Sequence, residues 1–320
     1  MRLPLPMALD HVNVYALDEG TGWSLIDTGF DTGKSREAWA ALLSGPLRGR
    51  PVTRVIGTHH HPDHIGLAGW FHDEQGAELV TTRTAWLYAR MLTLDVQEVP
   101  SPESLAFLRA AGMDPDLLAR RSRERPFNFA DVVAPVPPVY TRLGEGDEIT
   151  LGGRRWRVNV GHGHAPEHAT LWEIGGDLVI AGDQVLPGIS PHLGVYPSEP
   201  DADPVSEWLA SCRRLKTLAR PGQLVLPGHK LPFSGLGQRL GQLIENHLGA
   251  LARLEALLAE PHTAPECFVV LFRREIGERE YGLALSETLA HLNALRLAGR
   301  VERIAGPDGA FLWQTRANLA

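Results

Sequence analysis

The chain has 320 residues, of which 43% are hydrophobic and 22% are charged, the balance of a packed globular protein. This length favours one large domain with a smaller one, and no stretch has the roughly 18 consecutive apolar residues of a membrane helix. The net charge of −7 argues against a broad nucleic-acid surface, because such surfaces use Lys and Arg to neutralise phosphates.

The N-terminal two thirds of the chain alternates strand-like and helix-like segments. Pro4 and Pro6 interrupt the apolar N-terminus, so we expect no export signal and a cytoplasmic protein. The proline-rich segment 132–140 predicts a linker or an edge strand. Two blocks of strands with helices between them indicate two sheets packed between helical layers. Strands are predicted at 11–17, 22–29, 52–58, 77–82, 147–153, 154–160, 177–183 and 223–229, and helices at 65–75, 82–125 and 207–219.

From about residue 243 the pattern changes to three helix-like segments, followed by two short strands. The strands are VERIAG and AFLWQT, joined by a turn at Pro307-Asp308-Gly309. Three helices closed by a hairpin are typical of a winged-helix module. We therefore divide the chain into a catalytic domain over 1–242, with a helical insert at 82–125, and a winged-helix-like domain over 243–320. The three helices are predicted at 243–260, 264–276 and 283–298.

The most informative motif is HHHPDH at 59–64, which directly follows a β-branched strand predicted at 52–58. Alternate residues of an extended segment point the same way, so His59 and His61 can share one metal ion. Asp63 and His64 follow the turn at Pro62 and can reach a second ion. Imidazole and carboxylate ligands suit a borderline metal such as zinc. The alternative is a surface histidine cluster, or an adventitious tag-like run of histidines, that binds no metal.

Three further candidate ligands each follow a predicted strand. His164 lies in GHGHAPEH, Asp183 follows DLVIAG, and His229 follows QLVLPG. Loops at one edge of a sheet commonly carry functional groups. Taken singly, these residues would more often be structural, but four strand-to-loop junctions together predict a binding site. The two cysteines, Cys212 and Cys267, form no C-x-x-C pair and indicate neither a disulfide framework nor thiolate ligands.

These segments resemble the metallo-β-lactamase superfamily. HHHPDH is similar to its H-x-H-x-D-H signature, and GHAPEH, IAGD and LPGH are similar to its later motifs. LIDTG at 25–29 resembles its first motif, whose aspartate supports the site without binding metal. The five segments occur in the family's order over about residues 10–240. The resemblance implies a four-layer αββα sandwich in which His59, His61 and His164 hold one ion, Asp63, His64 and His229 hold a second, and Asp183 bridges the two.

One position departs from the family pattern. Ala165 replaces the usual Thr or Ser, and His162 lies two residues before His164. We expect His164 to be the ligand because His168 then falls four residues later, as in many relatives. A shifted register would make His162 the ligand instead. We interpret His60 and His168 as supporting residues.

The resemblance implies a hydrolase with two divalent ions, zinc in the first instance, with iron and manganese as alternatives. A metal-bridging hydroxide would be the nucleophile, because metal coordination lowers the pKa of water to about 7. Asp63 would orient it. The loop after Asp183 carries His192 and Tyr196, which we predict either to donate hydrogen bonds to a developing oxyanion or to pack the loop.

We expect the substrate to be a small ester, thioester, lactone or related acyl compound. One alternative is a single-strand endoribonuclease of the same fold, and another is a non-catalytic nucleic-acid-binding regulator. A winged helix often reads DNA with one helix, but helix 283–298 carries Glu287 and His291, with Arg296 near its end. A helix surface with so little positive charge is poorly suited to binding phosphate groups. We expect the helix to pack against the catalytic domain or in a homodimer, and we expect no membrane partner.

Overall fold

The computed structural model describes residues 1–7, 9–306 and 308–316. The chain folds into two compact units. The first unit comprises Met1–Val96, Phe127–Pro191 and Arg214–Leu240, and the second comprises Gln97–Pro126, His192–Arg213 and Gly241–Ala320. No helix in the described ranges is both long enough and apolar enough to span a membrane.

The first unit contains two large sheets. One has five strands in the order β3-β4-β5-β6-β7, and β4 to β7 run parallel. A separate pair, β1 (Arg2–Pro4) and β2 (His11–Asn13), lies outside this sheet. The strands of the five-stranded sheet are β3 (Tyr15–Asp18), β4 (Trp23–Ile26), β5 (Val52–Ile56), β6 (Glu78–Thr82) and β7 (Thr141–Leu143).

The second large sheet has six strands in the order β13-β12-β11-β10-β9-β8. Only β11 and β12 are parallel neighbours in it. Its strands are β8 (Glu148–Leu151), β9 (Arg154–Gly161), β10 (His168–Glu173), β11 (Leu178–Gly182), β12 (Leu224–Pro227) and β13 (Phe233–Ser234).

The two sheets share one apolar core. Ile56 and Val80 from the first sheet cluster with Val158, Leu171 and Ile180 from the second, and all five are buried. Full burial of each such side chain contributes about 1.5–3 kcal/mol to the free energy of folding. This core fixes the two sheets face to face, so the predicted α/β fold with two packed sheets is confirmed.

Helices cover the other face of the first sheet. Trp39 of α1 packs edge-on against Phe71 of α3, with ring centroids 4.9 Å apart, in a second buried cluster. Thr32 begins α1 by accepting the N–H of Ser35 at 3.2 Å, a typical N-cap. The helices of this unit are α1 (Gly33–Ser44), α2 (Pro62–Ile65), α3 (Ala68–Gln75), α4 (Arg83–Leu94), the last residues of α7 (Pro204–Leu218) and the start of α8 (Leu236–Leu257).

Several elements of this unit were not predicted from the sequence, among them β10 and α1. Strand β10 is buried over its first five residues and so lacks the alternation that marks a half-exposed strand. Helix α1 has Ser35 and Trp39 as its buried residues, a weak apolar pattern for sequence inspection. The segment 132–140 forms no strand, so the linker alternative is correct and the edge strand is wrong.

The second unit is helical and ends in a hairpin. Helix α10 is buried at almost every position from Ala284 to Leu295, which makes it the core helix of this unit. Strands β14 and β15 pair antiparallel, with Val301 opposite Thr315. Of the predicted turn, Pro307 lies outside the described residues. The elements are α5 (Pro102–Ala110), α6 (Pro115–Arg121), most of α7 and α8, α9 (Phe268–Phe272), α10 (Tyr281–Leu297), β14 (Val301–Ala305) and β15 (Phe311–Thr315).

The predicted order of three helices and a hairpin is present, while the winged-helix topology and the boundary at residue 242 stay predictions. The three side chains considered for nucleic-acid contact on α10 are engaged inside this unit. Glu287 pairs with His192 at 3.1 Å, His291 is buried, and Arg296 pairs with Asp201 at 2.7 Å. These contacts favour the packing interpretation of the helix.

A buried imidazole pair lies in the core of the second unit. His291 donates its Nδ1–H to the Glu287 carbonyl at 2.8 Å, so its Nε2 accepts from His247 Nδ1–H at 3.1 Å. Burial and the neighbouring His291 lower the pKa of His247 to about 4, and burial lowers the pKa of His291 as well. Both rings are therefore neutral in the folded protein.

We predict that this pair makes the second unit sensitive to acid. Histidine titrates near 6.5 when unfolded, so the unfolded chain binds more protons between about pH 6.5 and pH 4, and stability falls as pH falls through that window. The drop to about 4 for His247 corresponds to about 3 kcal/mol at full protonation. Asn at this position keeps a donor for His291 and removes the titration. Urea unfolding at pH 7 and pH 4.5 should show a smaller acid loss in H247N than in the parent.

The matched control is H72N, in which an imidazole of the first unit is replaced. It should keep the parent's pH dependence in the transition that reports the second unit. An acid loss in H247N as large as in the parent would contradict the assignment.

Candidate metal centre

The HHHPDH segment changes direction at its proline. Strand β5 ends at Ile56, the chain bends at Thr58, His59 and His60, and His61 is again extended, with a ψ of 144°. Pro62 then occupies the first turn of α2, where its missing N–H has no helical partner to lose. The histidines before the turn and the Asp63-His64 pair after it therefore approach one point from two directions.

The first group consists of three imidazoles. His59 Nε2 lies 3.1 Å from His61 Nδ1, His61 Nδ1 lies 3.0 Å from His164 Nε2, and the remaining edge is 3.3 Å. Nitrogens bound at 2.0–2.1 Å in a tetrahedron are about 3.3 Å apart, so this triangle has the dimensions of one face of a zinc site. Burial and neighbouring imidazoles lower the pKa values of His59 and His61 well below the usual value, which keeps both rings neutral.

The second group consists of Asp63, His64 and His229. His229 Nε2 is 3.3 Å from Asp63 Oδ2, and His64 Nε2 is 3.6 Å from the same oxygen. The candidate ligand atoms of the group all lie within 4.8 Å of one another. The structure thus brings these three side chains together, as the sequence predicts.

Asp183 lies between the two groups. Its Oδ2 is 3.0 Å from His229 Nε2 and 3.6 Å from His164 Nε2, while its Oδ1 is 3.4 Å from His64 Nε2. Burial opposes a charge here, yet His64 and His229 hold the pKa of the Asp183 carboxyl well below its usual range. An ionised carboxylate that contacts both groups has the position required of a bridging ligand.

Asp27 fixes the orientation of the His64 ring by binding its Nδ1, the nitrogen that faces away from the candidate centre. Its Oδ2 accepts from His64 Nδ1–H at 2.8 Å and from the Thr58 hydroxyl at 2.8 Å, and its Oδ1 accepts the Thr58 N–H at 2.8 Å. His59 Nδ1 in turn lies 3.0 Å from the Thr58 hydroxyl. With their Nδ1–H groups bound in this way, His59 and His64 direct their Nε2 atoms to the centre, an arrangement typical of metal-ligating histidines. The predicted supporting role of the LIDTG aspartate matches this geometry.

His229 is oriented by the backbone. Its Nδ1–H donates to the carbonyl of His11 at 2.8 Å, so its Nε2 faces the centre. Asn13 fixes the same loop by donating to the carbonyls of Pro227 at 3.0 Å and Lys230 at 2.8 Å. The sequence analysis missed Asn13 and Thr58, and the His11 carbonyl carries no side-chain signal at all.

The remaining histidines of the two motifs lie around the centre. His168 stacks on His59, with centroids 4.5 Å apart, and its Nε2 accepts the N–H of Asp183 at 3.1 Å. The ring of His60 lies 4.7 Å from that of His61 and 5.0 Å from that of Tyr88, and His60 is in none of the candidate ligand groups of the described residues. His162 Nδ1 accepts the N–H of Glu167, and His162 belongs to none of the ligand groups found among the described residues. His164, not His162, is the one whose Nε2 meets the cluster.

His192 and Tyr196 belong to the second unit. Glu287 accepts from His192 Nδ1–H at 3.1 Å, and His192 Nε2 lies 3.2 Å from the Ser286 hydroxyl. The Tyr196 side chain is 48% exposed. That His192 and Tyr196 donate hydrogen bonds to a developing oxyanion stays a prediction.

The centre is suited to divalent cations because some of its buried nitrogen and oxygen atoms lack good hydrogen bonds. His64 Nε2 and Asp183 Oδ1 are buried 3.4 Å from each other, and neither has a hydrogen-bond partner of good geometry in the part of the chain that the structure describes. Burial opposes a charge on His64, but the surrounding carboxylates raise its pKa well above the usual value, so a cation would displace a proton here. The donor set of five imidazoles and two carboxylates suits zinc, iron or manganese.

Comparison with known families agrees with this geometry. Residues 7–229 match the family model described as the metallo-beta-lactamase superfamily. Residues 251–316 match a second model, described as the metallo-beta-lactamase-like C-terminal domain. The chain belongs to the metallo-beta-lactamase superfamily, and the predicted family and hydrolase class are confirmed.

Two relatives cover more than nine tenths of this chain, and a third covers 68% of it. A beta-lactamase domain protein from Burkholderia ambifaria is 34% identical, with a TM-score of 0.88, over 99% of this chain and 90% of that one. The probable metallo-hydrolase YqjP of Bacillus subtilis (strain 168) is 28% identical over 92% of this chain and 91% of its own length. The acyl-coenzyme A thioesterase MBLAC2 of Gallus gallus is 27% identical over 68% of this chain and 80% of its own length.

We predict that D27N removes His64 from the ligand set. Asp27 has a φ of 60°, a conformation that Asn tolerates well, so the backbone should be preserved. The Asn amide would face two donors, the His64 Nδ1–H and the Thr58 hydroxyl, and would turn the His64 tautomer so that Nε2 carries the proton. Loss of a supporting partner typically lowers metal affinity 10–100-fold. Competition titration with a chromogenic chelator should measure that loss.

Asp31 provides the control, because its carboxylate pairs with Arg36 at 2.6 Å away from the ligand groups. D31N should bind metal as the parent does. Equal affinity in D27N and D31N would refute the role given to Asp27.

Proposed function

We propose that the protein is a dinuclear metal-dependent hydrolase of acyl substrates. The observation that carries the proposal is the position of Asp183, whose two carboxylate oxygens contact both ligand groups. The first ion would be held by His59, His61 and His164, and the second by Asp63, His64 and His229, with Asp183 shared between them. Zinc is the expected metal, and iron and manganese are the alternatives.

Such ions supply two things when bound: a water whose pKa is lowered to about 7, and polarisation of a carbonyl oxygen. The chain's own residues determine where a substrate can enter. His59, His64 and His229 are fully or almost fully buried, while the Asp63 side chain is 16% exposed. The accessible side of the centre is therefore the side of His61, Asp63 and His164, which are partly exposed, and the Asp63 carboxylate is placed to accept a hydrogen bond from a water and orient it.

The substrate class rests on two observations. The chain resembles an acyl-coenzyme A thioesterase over 68% of its length. The net charge of −7 and the engaged residues of α10 speak against RNA or DNA as the main ligand. An ester, thioester or lactone is therefore the preferred substrate, with the carbonyl as the point of attack.

We expect H61A and D63A each to abolish turnover, because each removes a ligand from a different ion and D63A also removes the group that orients water. The loss should exceed roughly 100-fold for either variant, as expected when a metal ligand is removed. Initial rates on a panel of thioesters, esters and lactones, measured with zinc, iron or manganese added to stripped protein, test this. Circular dichroism should report an unchanged fold.

His72 supplies the control, since H72N alters a histidine of α3 whose ring bonds the Ala77 carbonyl at 3.0 Å. It should retain the parent's rates. Cleavage of a labelled single-stranded RNA without turnover of any acyl compound would replace this proposal with the ribonuclease alternative, and full activity of D63A would overturn the metal assignment.

A further inference from the structure

Glu167 lies in the loop that carries His164 and leads into β10. Its φ is 49°, in the left-handed region that a residue other than glycine, asparagine or aspartate seldom adopts. This conformation carries a strain cost for a glutamate. The contacts of its side chain and carbonyl must offset that cost for the conformation to persist.

Those contacts join the loop to the first turn of α4. Glu167 Oε2 accepts the N–H of Thr84 at 2.7 Å and also the Thr84 hydroxyl. The carbonyl of Glu167 accepts the hydroxyl of Thr82, the N-cap of α4, at 2.8 Å. An N–H in the first turn of a helix has no partner within the helix, and a carboxylate there also meets the positive end of the helix dipole.

Helix α4 also supports the segment that provides the other two imidazoles of the first group. One turn beyond Thr84, the ring of Tyr88 lies 5.0 Å from the ring of His60, the residue between His59 and His61. The same helix therefore contacts both stretches of chain that build the three-histidine group. In the second group, His64 is held by Asp27 and His229 by the His11 carbonyl.

We propose that Glu167 is a positioning residue that holds the three-histidine group in shape through its bonds to the start of α4. The inference rests on the metal centre proposed above. It requires that loss of the Glu167 carboxylate weakens binding of the ion held by His59, His61 and His164, while the ion held by Asp63, His64 and His229 is bound as before.

The experiment is a cobalt titration of the full chain after chelator treatment, followed by the visible spectrum of each binding step. H61A identifies the step that belongs to the three-histidine group. E167A should weaken that step by roughly 10–100-fold, the typical effect of a supporting partner, and should leave the other step unchanged. E167Q should lose less, because its amide oxygen can still accept from Thr84.

Glu173, at the opposite end of β10, is the matched control. Its carboxylate also accepts a backbone N–H, from Leu178 at 3.2 Å, and pairs with Arg154 at 2.5 Å, but it lies outside the ligand groups. E173A should leave both steps as in the parent. If E167A does not fold, T84V removes the hydroxyl donor alone and should still weaken the first step selectively.

Unchanged binding in E167A, or equal weakening of both steps, would overturn the role of Glu167 and leave the metal centre standing. A parent protein that binds no cobalt would instead refute the proposed centre itself. The two failures are thus distinguishable.

Discussion

The candidate centre depends on one constraint: each imidazole must turn a lone pair inward while its other nitrogen keeps a hydrogen-bond partner. His64 meets it through the carboxylate of Asp27, and His229 through the carbonyl of His11. Because these partners come from strand ends of different parts of the chain, the convergence of the ligands requires the complete first unit. The apolar core between the sheets is therefore a condition of the chemistry, since it fixes the edge at which the strands end.

Backbone strain in the first unit is concentrated at the same edge. Among the described residues of this unit, three non-glycine residues have a positive φ: Asp27, Glu167 and Lys230. Asp27 bonds to a candidate ligand, Glu167 lies in the loop of His164, and Lys230 follows His229. Such conformations cost roughly 1–3 kcal/mol each and persist where surrounding contacts fix them. Their placement indicates that contacts within the protein fix the conformation of these loops.

The sequence was sufficient to predict the two sheets and the side chains that meet at their edge. The convergence of these candidate ligands could be predicted because each follows a strand, and strand ends of a packed sheet lie together. The contacts that orient those ligands could not be predicted in the same way. Thr58 has no distinguishing pattern, and Glu167 reaches Thr84 across 83 positions of chain. Likewise, the pairing of His192 with Glu287 in the second unit spans 95 positions and depends on how α10 is buried.

The central claim is that two ions share one carboxylate at this edge. Anomalous diffraction at the zinc, iron and manganese absorption edges, from crystals of chain purified without chelator, tests it most directly. The account predicts two peaks roughly 3.5–4 Å apart, with Asp183 between them. One peak should lie against His59, His61 and His164, and the other against Asp63, His64 and His229. No peak at these side chains, or ions bound elsewhere, would contradict it.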